Sequence, residues 1–331
     1  MRIFVTGGAG YIGSHVVRRL VKAGHDVLVY DDLSSGHRAA VGDVPLEIGD
    51  ICDSGRLREL FRRQRSEVVI HFAGLIQAGE SVRDPGRYYQ TNVVGSLTLL
   101  GAMVDTGVKK IVFSSSAAVY GDPSVVPIPE SHATNPINPY GQTKLVVEFM
   151  LSAFSRAHRL GFVALRYFNA AGAEPDGSIG EDHPQESHLI PLVLLAASGR
   201  RPPLKVFGRD YDTPDGTCIR DYVHVSDLAD AHVLALPGLK EGEGKFYNVG
   251  TGRGYSVRQV LEVAGEVVGK PIPFEAAERR PGDPPELVAA ADRIRAELAW
   301  KPKHSGLKDI LATAWAWHQS HPDGYGADKA K

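Results

Sequence analysis

The chain has 331 residues, 43% of them hydrophobic, which leaves room for two domains with proper cores. Its formal net charge of -2 at pH 7, with both signs interspersed, argues against nucleic acid or an acidic membrane surface as the main partner. The 2 cysteines form no Cys-x-x-Cys pattern, which argues against a disulfide framework or a thiolate zinc site. Without a signal-peptide pattern or a membrane-spanning apolar run, we expect a cytoplasmic location.

The first predicted element is a strand, Ile3–Thr6, and a glycine-rich turn follows it before a helical pattern begins. This strand-turn-helix arrangement predicts a dinucleotide site, because glycine lets the backbone approach a pyrophosphate closely. The first helical N–H groups and the helix dipole favour its negative charge. The residues predicted to form this phosphate seat are Gly7, Gly10, Tyr11, Ile12 and Gly13.

The second predicted strand, Val27–Tyr30, ends at two acidic residues, Asp31 and Asp32. A carboxylate at this distance from the glycine turn can accept hydrogen bonds from both ribose hydroxyls and would repel a 2′-phosphate. The sequence therefore favours NAD over NADP as the cofactor, although Arg38 nearby leaves NADP open.

Further strands alternate with helical patterns along the first half of the chain. Their continuous apolar character predicts a parallel sheet covered on both faces, that is, an α/β fold with a Rossmann-type doubly wound sheet. Ligands in such a sheet bind beyond the carboxyl ends of the strands. The predicted strands are Pro45–Ile48, Val68–Phe72, Lys110–Ser115 and Phe162–Tyr167.

After about Asn169 the loops become longer and richer in proline, glycine and charge. We expect residues 1–170 to form the NAD-binding domain and residues 171–331 a smaller α/β substrate domain, with a return to the first domain near 223–250. The later predicted elements are a helix at Ser226–Leu236, a strand at Phe246–Val249, and helices at Val257–Val268, Ala290–Leu298 and Leu307–His318.

A catalytic group is predicted from Tyr140 and Lys144, which are spaced i,i+4 on one face of a helix that begins near Pro139. The strand before this helix ends in Ser114-Ser115-Ser116. We expect the Lys144 ammonium and an oxidised nicotinamide to lower the pKa of Tyr140, which makes the phenolate a general base. Ser116 would hold the substrate hydroxyl. The alternative is that Tyr140 and Lys144 are merely neighbouring residues on the surface of a helix, beside a serine-rich loop without a catalytic role.

Over nearly its whole length the sequence resembles the extended short-chain dehydrogenases/reductases and, within them, the UDP-glucose 4-epimerase subfamily. Beyond the two motifs above, the resemblance rests on an ordered set of segments. They are 71–74 (HFAG), 114–121 (SSSAAVYG), 166–169 (RYFN), 180–183 (GEDH), 188–191 (HLIP), 210–217 (DYDTPDGT) and 220–224 (RDYVH).

The resemblance implies an isomerase with tightly bound NAD, a UDP-sugar substrate bound by the domain of residues 171–331, and a homodimer formed by helices around 95–104 and 146–154. It implies cofactor contacts from Asp50, Ile51, Phe72, Ala73, Gly74, Asn92, Ser114, Tyr140, Lys144 and Tyr167. It implies substrate contacts from Ser116, Tyr140, Asn169, His188, Leu189, Val206, Phe207, Arg220, Arg280, Asp283 and Leu287. Two planar arginines suit a diphosphate, and Asp283 suits a ribose.

Three alternatives stay open on the residues. A nucleotide-sugar dehydratase needs extra acid and base groups, but Ala117 and Ala118 stand where such enzymes carry carboxylates. A 4-epimerase of another UDP-sugar is the nearer competitor, since Ile76, Ala118 and Leu287 depart from well-known members and make the sugar walls less polar. An N-acetylhexosamine would fit beside Leu287 and a pentose stays open, while a uronate ranks lower, since no further cation is found for its carboxylate. The alternative from a different functional class is a regulator that binds NAD but catalyses no reaction.

No metal site is predicted. His183, His188 and the acids near them lack metal-ligand spacing in the sequence, and the expected chemistry needs no metal.

Overall fold

The computed structural model describes residues 1–280, 283–304 and 306–326. Its strands agree closely with the six predicted for the first half of the chain. In chain order they are β1 (Arg2–Thr6), β2 (Asp26–Asp31), β3 (Leu46–Ile48), β4 (Val68–His71), β5 (Lys110–Ser116), β6 (Gly161–Tyr167), β7 (Asn169–Ala171), β8 (Leu204–Phe207), β9 (Ile219–His224), β10 (Gly244–Val249), β11 (Gly254–Ser256), β12 (Phe274–Ala277) and β13 (Glu286–Leu287).

Within the described residues, a parallel sheet of seven strands has the order β10-β6-β5-β4-β1-β2-β3. The strands are nearly all apolar because both faces of the sheet are covered by helices. The predicted α/β doubly wound fold is confirmed. The order reverses next to β1, and the carboxyl ends of β1 and β4 therefore border the crevice in which ligands of such sheets bind.

The helices connect these strands and continue into the second half of the chain. They are α1 (Tyr11–Lys22), α2 (Arg38–Val41), α3 (Ser54–Gln64), α4 (Ala78–Arg83), α5 (Pro85–Tyr88), α6 (Gly95–Thr106), α7 (Pro139–His158), α8 (Leu189–Ala197), α9 (Val225–Ala235), α10 (Val257–Val268), α11 (Asp292–Leu298) and α12 (Leu307–Ser320). A π-helical turn, Tyr89–Val94, precedes α6, and a 3-10 turn, Ala117–Val119, follows β5.

Two apolar cores lie on opposite faces of the large sheet. One contains side chains of α1 and α9, such as Val17 and Leu228, and the other contains side chains of α3, α6 and α7, such as Leu57 and Val147. Both α9 and β10 thus belong to the layers around the large sheet, although they come late in the chain.

The second half of the chain also builds its own core around α8, α10 and α12. Beside this core, β9 pairs with β7, β11 and β13, and β8 pairs with β12. The start of α10 is fixed by a capping box, in which Ser256 and Gln259 satisfy each other's backbone N–H groups. Among the described residues, no helix is long and apolar enough to cross a membrane.

Candidate active site

A cleft of about 540 Å³ lies beyond the carboxyl ends of β1, β2, β4, β5 and β6. Most of the site residues expected from the sequence line it. They are Gly7, Gly10, Tyr11, Ile12, Gly13, Asp31, Asp32, Asp50, Ile51, Phe72, Ala73, Gly74, Ser114, Ser116, Tyr140, Lys144, Tyr167, Asn169, His188 and Leu189.

The glycine turn between β1 and α1 leaves no room for side chains at two positions. Gly7 has a φ of +70°, and a Cβ atom there would lie 2.4 Å from the backbone nitrogen of Ala73. A Cβ atom at Gly13 would lie 2.2 Å from the carbonyl oxygen of Gly7. Helix α1 begins with Gly10 as its N-cap, whose missing side chain leaves the first N–H groups to a ligand. This cradle fits the pyrophosphate of a dinucleotide.

Asp31 has a structural role that the sequence did not reveal. Its Oδ2 accepts the N–H of Ala9 and its Oδ1 accepts the N–H of Leu33, each at 2.9 Å. Burial raises the pKa of Asp31, and these two hydrogen bonds oppose the rise. The carboxylate therefore braces the glycine turn in addition to facing the cleft, where its remaining lone pairs suit ribose hydroxyls.

Ser116, Tyr140 and Lys144 converge on the same wall of the cleft. Helix α7 begins where Asn138 accepts the N–H of Gly141 at 2.8 Å and Pro139 occupies the first turn. Ser116 ends β5, and its hydroxyl makes a hydrogen bond to the Tyr140 phenol. The Lys144 Nζ donates to the carbonyl oxygen of Ser114 at 2.9 Å and lies 5.9 Å from the centre of the Tyr140 ring.

The expected lowering of the Tyr140 pKa depends on two positive charges, Lys144 and an oxidised nicotinamide, and stays a prediction. Burial raises the pKa of Tyr140, and the hydrogen bond from Ser116 offsets only part of that rise. Burial also lowers the pKa of Lys144 to about 8. A cationic ligand beside the ring would add to the positive charge of Lys144 and favour the Tyr140 phenolate.

Tyr167 and Phe72 form the inner end of the cleft. The Tyr167 phenol shares a hydrogen bond with the Ser114 hydroxyl, and burial raises the pKa of Tyr167. His232 of α9 packs behind both rings, with centroid distances of 4.8 Å to Phe72 and 5.9 Å to Tyr167.

Asn92 and six expected substrate residues are not among the residues that line the cleft. Asn92 lies behind the wall, where its side-chain amide bonds the backbone of Leu75 and the Thr143 hydroxyl. It therefore supports the cofactor wall at Gly74, whose missing side chain leaves space for its Oδ1.

The six residues form a separate group beside the cleft, which we call the arginine cluster: Val206, Phe207, Arg220, Arg280, Asp283 and Leu287. The Arg280 guanidinium lies 4.0 Å from the centre of the Phe207 ring. Arg220 and Asp283 form an ion pair instead of standing free for a phosphate and a ribose, as the sequence suggested. Arg220 lies two residues before Tyr222 on β9, and Tyr222 lines the cleft. The cluster thus borders the cleft.

Comparisons with known proteins agree with this geometry. Residues 3–250 match the model of the NAD dependent epimerase/dehydratase family. The chain belongs to this family. A UDP-glucose 4-epimerase from Halalkalibacterium halodurans is 51% identical over 329 residues, which are 99% of this chain and 98% of that protein.

Solved structures of epimerases share the fold. The UDP-glucose 4-epimerase from Bifidobacterium longum, in complex with NAD+ and UDP, is 39% identical, has a TM-score of 0.94, and covers 98% of this chain and 100% of its own. The UDP-Glc/GlcNAc 4-epimerase from Campylobacter jejuni is 40% identical, has a TM-score of 0.84, and covers 96% of this chain and 99% of its own.

The cleft also has lining residues that were not predicted from the sequence. Ser34, Ser35 and Gly36 follow the acidic end of β2, and small residues directly after a strand end are a signal that could have been used. Gln77 and Gln185 line the opposite rim, where the Gln77 side-chain amide donates to the Gln185 carbonyl oxygen at 2.8 Å. Nothing local in the sequence indicates this contact, since the two residues are 108 positions apart.

His183 and His188 lie closer to acidic side chains than their spacing in the sequence suggested. The structure brings both histidines together with Glu181 and Glu186, and one ligand atom from each lies within 4.8 Å of the others. The four residues therefore form one cluster in this protein, at the rim of the cleft.

Proposed function

We propose that this chain is an NAD-dependent 4-epimerase that interconverts UDP-glucose and UDP-galactose through a transient 4-keto sugar. The observation that carries the proposal is the convergence of Ser116, Tyr140 and Lys144 on a cleft whose far end is the glycine cradle. The identity of 51% to a UDP-glucose 4-epimerase over almost the whole chain supports the same reaction.

The cradle at Gly7 and Gly13 would hold the pyrophosphate of NAD, and Asp31 and Asp32 would receive the adenine ribose. Asp50 and Ile51 would flank the adenine. Phe72, Ala73, Gly74, Ser114 and Tyr167, together with Tyr140 and Lys144, would line the nicotinamide end, supported from behind by Asn92. Bound NAD supplies a reversible acceptor for the hydride of sugar carbon C4.

In the first half-reaction, the Tyr140 phenolate takes the proton of the 4-hydroxyl group. The Ser116 hydroxyl orients that oxygen as it becomes a ketone. Lys144 holds the phenol and the cofactor end in place from its bond to the Ser114 carbonyl. In the return step, Tyr140 gives the proton back to the oxygen after the other face of C4 has been presented, so the product is inverted at C4 with no net oxidation.

Inversion requires the sugar ring to turn while its nucleotide stays fixed. Binding energy should therefore concentrate on the UDP half. Arg220 and Arg280 would bind the diphosphate, with Val206, Phe207 and Asp283 holding the uridine end. Asn169, His188 and Leu189 line the cleft between the two ends and would contact the substrate.

The decisive experiment is conversion of UDP-galactose by the purified protein without added NAD. We expect activity in the wild type, since the cofactor is retained, and a loss of about 10²–10⁴-fold in Tyr140→Phe with NAD still bound. Tyr89→Phe is the matched control, because Tyr89 is an exposed tyrosine outside the cleft lining whose hydroxyl donates to the Gln142 side chain. Wild-type turnover by Tyr140→Phe would overturn the assignment of the base.

A panel of UDP-sugars in the same assay separates the alternatives. A non-catalytic NAD-binding protein would convert none of them. A dehydratase would release a 4-keto sugar, and the absence of acid or base groups at Ala117 and Ala118 speaks against it. Pentoses and uronates would be converted best if the chain served another UDP-sugar.

Activity on UDP-GlcNAc and UDP-GalNAc is a second proposal. Leu287 packs on the apolar group that contains Ala117 and Phe168, beside the cleft and not in its lining. Ile76, also aliphatic, lines the cleft. The proposal fails if acetamido sugars are not converted at high enzyme and substrate concentrations.

The remaining assignments are proposals of the same kind. A homodimer would use α6 and α7, which expose Leu97 and Phe149. A location in the cytoplasm is consistent with Cys52 and Cys218 being free thiols. We assign residues 1–170 and the segment 223–250 to the NAD-binding domain and the rest of 171–331 to the UDP-sugar domain, supported by the place of β10 in the large sheet.

A further inference from the structure

Four side chains from the loop between β7 and α8 meet at the rim of the cleft, and we call them the Glu–His cluster: Glu181, His183, Glu186 and His188. Glu181 Oε1 lies 2.5 Å from His188 Nδ1 and 3.4 Å from His183 Nδ1. Glu186 Oε2 lies 3.2 Å from His183 Nδ1, and its Oε1 lies 3.7 Å from His188 Nδ1. Each histidine therefore faces both carboxylates.

The separations around His183 match those between the ligands of a tetrahedral zinc site. Metal–ligand bonds of about 2.0–2.2 Å place neighbouring ligand atoms roughly 3.3–3.5 Å apart in a tetrahedron. The two contacts of His183, at 3.4 Å to Glu181 and 3.2 Å to Glu186 Oε2, lie within about 0.1 Å of this range, and the pair of Glu181 and His188 needs to open by less than one ångström.

The donor types select the metal. Two imidazole nitrogens and two carboxylate oxygens suit Zn²⁺, whereas Mg²⁺ and Ca²⁺ prefer oxygen ligands alone. The two carboxylates are almost fully buried, with side-chain exposures of 4% for Glu181 and 7% for Glu186. Two negative charges that close together in a buried site require positive charge between them, which either the two imidazoles as imidazolium ions or a divalent cation can supply.

Surrounding hydrogen bonds hold the ligands in place. Glu186 Oε1 accepts the backbone N–H groups of Ser187 and His188, which orients the carboxylate and leaves Oε2 directed to His183. The indole nitrogen of Trp317 donates to the Glu181 carbonyl oxygen at 3.3 Å. Supports of this kind are typical of metal sites, where they fix the orientation of the ligands.

We infer that the Glu–His cluster binds one Zn²⁺ ion per chain. The ion links the two ends of the loop segment 181–188, which contributes Gln185 to the cleft lining. The site lies close to the start of α1, since the His183 ring is 6.3 Å from the ring of Tyr11. Its role is structural, since all four positions are filled by protein ligands.

The test uses the untagged full-length protein with its NAD, stripped of metal by a chelator and titrated with zinc chloride. We expect about one tightly bound zinc per chain by mass spectrometry after dialysis, and a rise in melting temperature. His183→Ala and Glu186→Gln should each weaken zinc binding about 100-fold or more. The glutamine variant keeps an oxygen for the Ser187 and His188 N–H groups, and retained NAD reports that the variants are folded.

His158→Ala is the control, because His158 is an exposed histidine on α7. It should bind zinc like the wild type. Replacement of zinc by Co²⁺ should give the intense visible absorption of a tetrahedral site. The inference is overturned if the wild type retains no zinc, if both cluster variants bind as tightly as the wild type, or if the cobalt form has the weak spectrum of an octahedral ion.

Discussion

Glu148 of α7 and Arg166 of β6 form a buried ion pair, with 2.6 Å between Oε2 and Nη2. Glu148 is four residues after Lys144 and eight after Tyr140, so the three side chains share one face of the helix. The second carboxylate oxygen accepts the Ser115 hydroxyl at 2.6 Å. One pair of charges thus ties the helix that carries the proposed base to the two strands that end at the cleft.

Glu148→Ala should lower the free energy of unfolding by about 3–5 kcal/mol, because it leaves the Arg166 guanidinium buried without its charge partner. The double variant Glu148→Met, Arg166→Met should recover most of that loss, since it removes both charges and fills the space. Denaturant unfolding of the three proteins gives the comparison. Equal instability of the single and double variants would mean that the pair matters through its shape and not through its charge.

The glycine turn provides a prediction about the cofactor. In Gly13→Ala the new methyl group meets the backbone oxygen of Gly7, which cannot rotate away. We expect the purified variant to lack NAD and to be less stable by more than about 1 kcal/mol. Absorbance of the released nucleotide after denaturation measures the first effect and a melting curve the second.

Gly79→Ala is the matched control for Gly13→Ala. Gly79 lies in α4 with open space around a built Cβ atom, so alanine there should keep NAD and raise stability by about 0.5–1 kcal/mol. Full NAD content in Gly13→Ala would show that the turn can move and that its close packing is not what seats the cofactor.

His232 provides a prediction about acid stability. Burial lowers the pKa of His232 to about 4 from 6.5, and its Nε2 has no hydrogen-bond partner among the described residues. Because the unfolded chain binds a proton at this residue before the folded chain does, stability is full above pH 6.5 and falls as the pH drops from there to about 4.

His232→Leu should remove this part of the acid sensitivity. At about pH 5 the wild type should have lost roughly 2 kcal/mol through this residue, and the variant should not. The measurement is the free energy of unfolding of both proteins at about pH 7.5 and pH 5. Equal pH dependence in the two proteins would contradict a neutral buried His232.

Local patterns predicted the parts of the molecule that depend on local geometry. The strand before Gly7, the acids at the end of β2 and the i,i+4 spacing of Tyr140 and Lys144 need only neighbouring residues, and Gly7, both acids and both catalytic candidates line the cleft. The burial of Tyr140, which raises its pKa, could not be predicted, because it depends on how α7 packs against β5. The Glu–His cluster was missed because the loop folds back on itself without helical or strand periodicity.

The ion pair of Arg220 and Asp283 could not be predicted from local sequence patterns either, since 63 positions separate its partners. It bears on the proposed diphosphate contact. Arg220 is fixed on one side by the Ile219 and Pro284 carbonyl oxygens, at 2.7 and 2.8 Å, and by Asp283. A guanidinium held in this way is oriented before the substrate arrives, which a lysine ammonium with its different geometry cannot reproduce.

Arg220→Lys should therefore raise KM for UDP-galactose about 10- to 100-fold, as expected for the loss of a charged hydrogen bond, with little change in kcat and with NAD retained. Inhibition by UDP should weaken by the same factor and inhibition by uridine should not, because uridine lacks the diphosphate. Arg253→Lys is the control, since Arg253 stacks on Tyr255 outside the cleft lining. If uridine and UDP lose affinity equally, Arg220 holds the nucleoside through Asp283 and the diphosphate contact belongs to Arg280 alone.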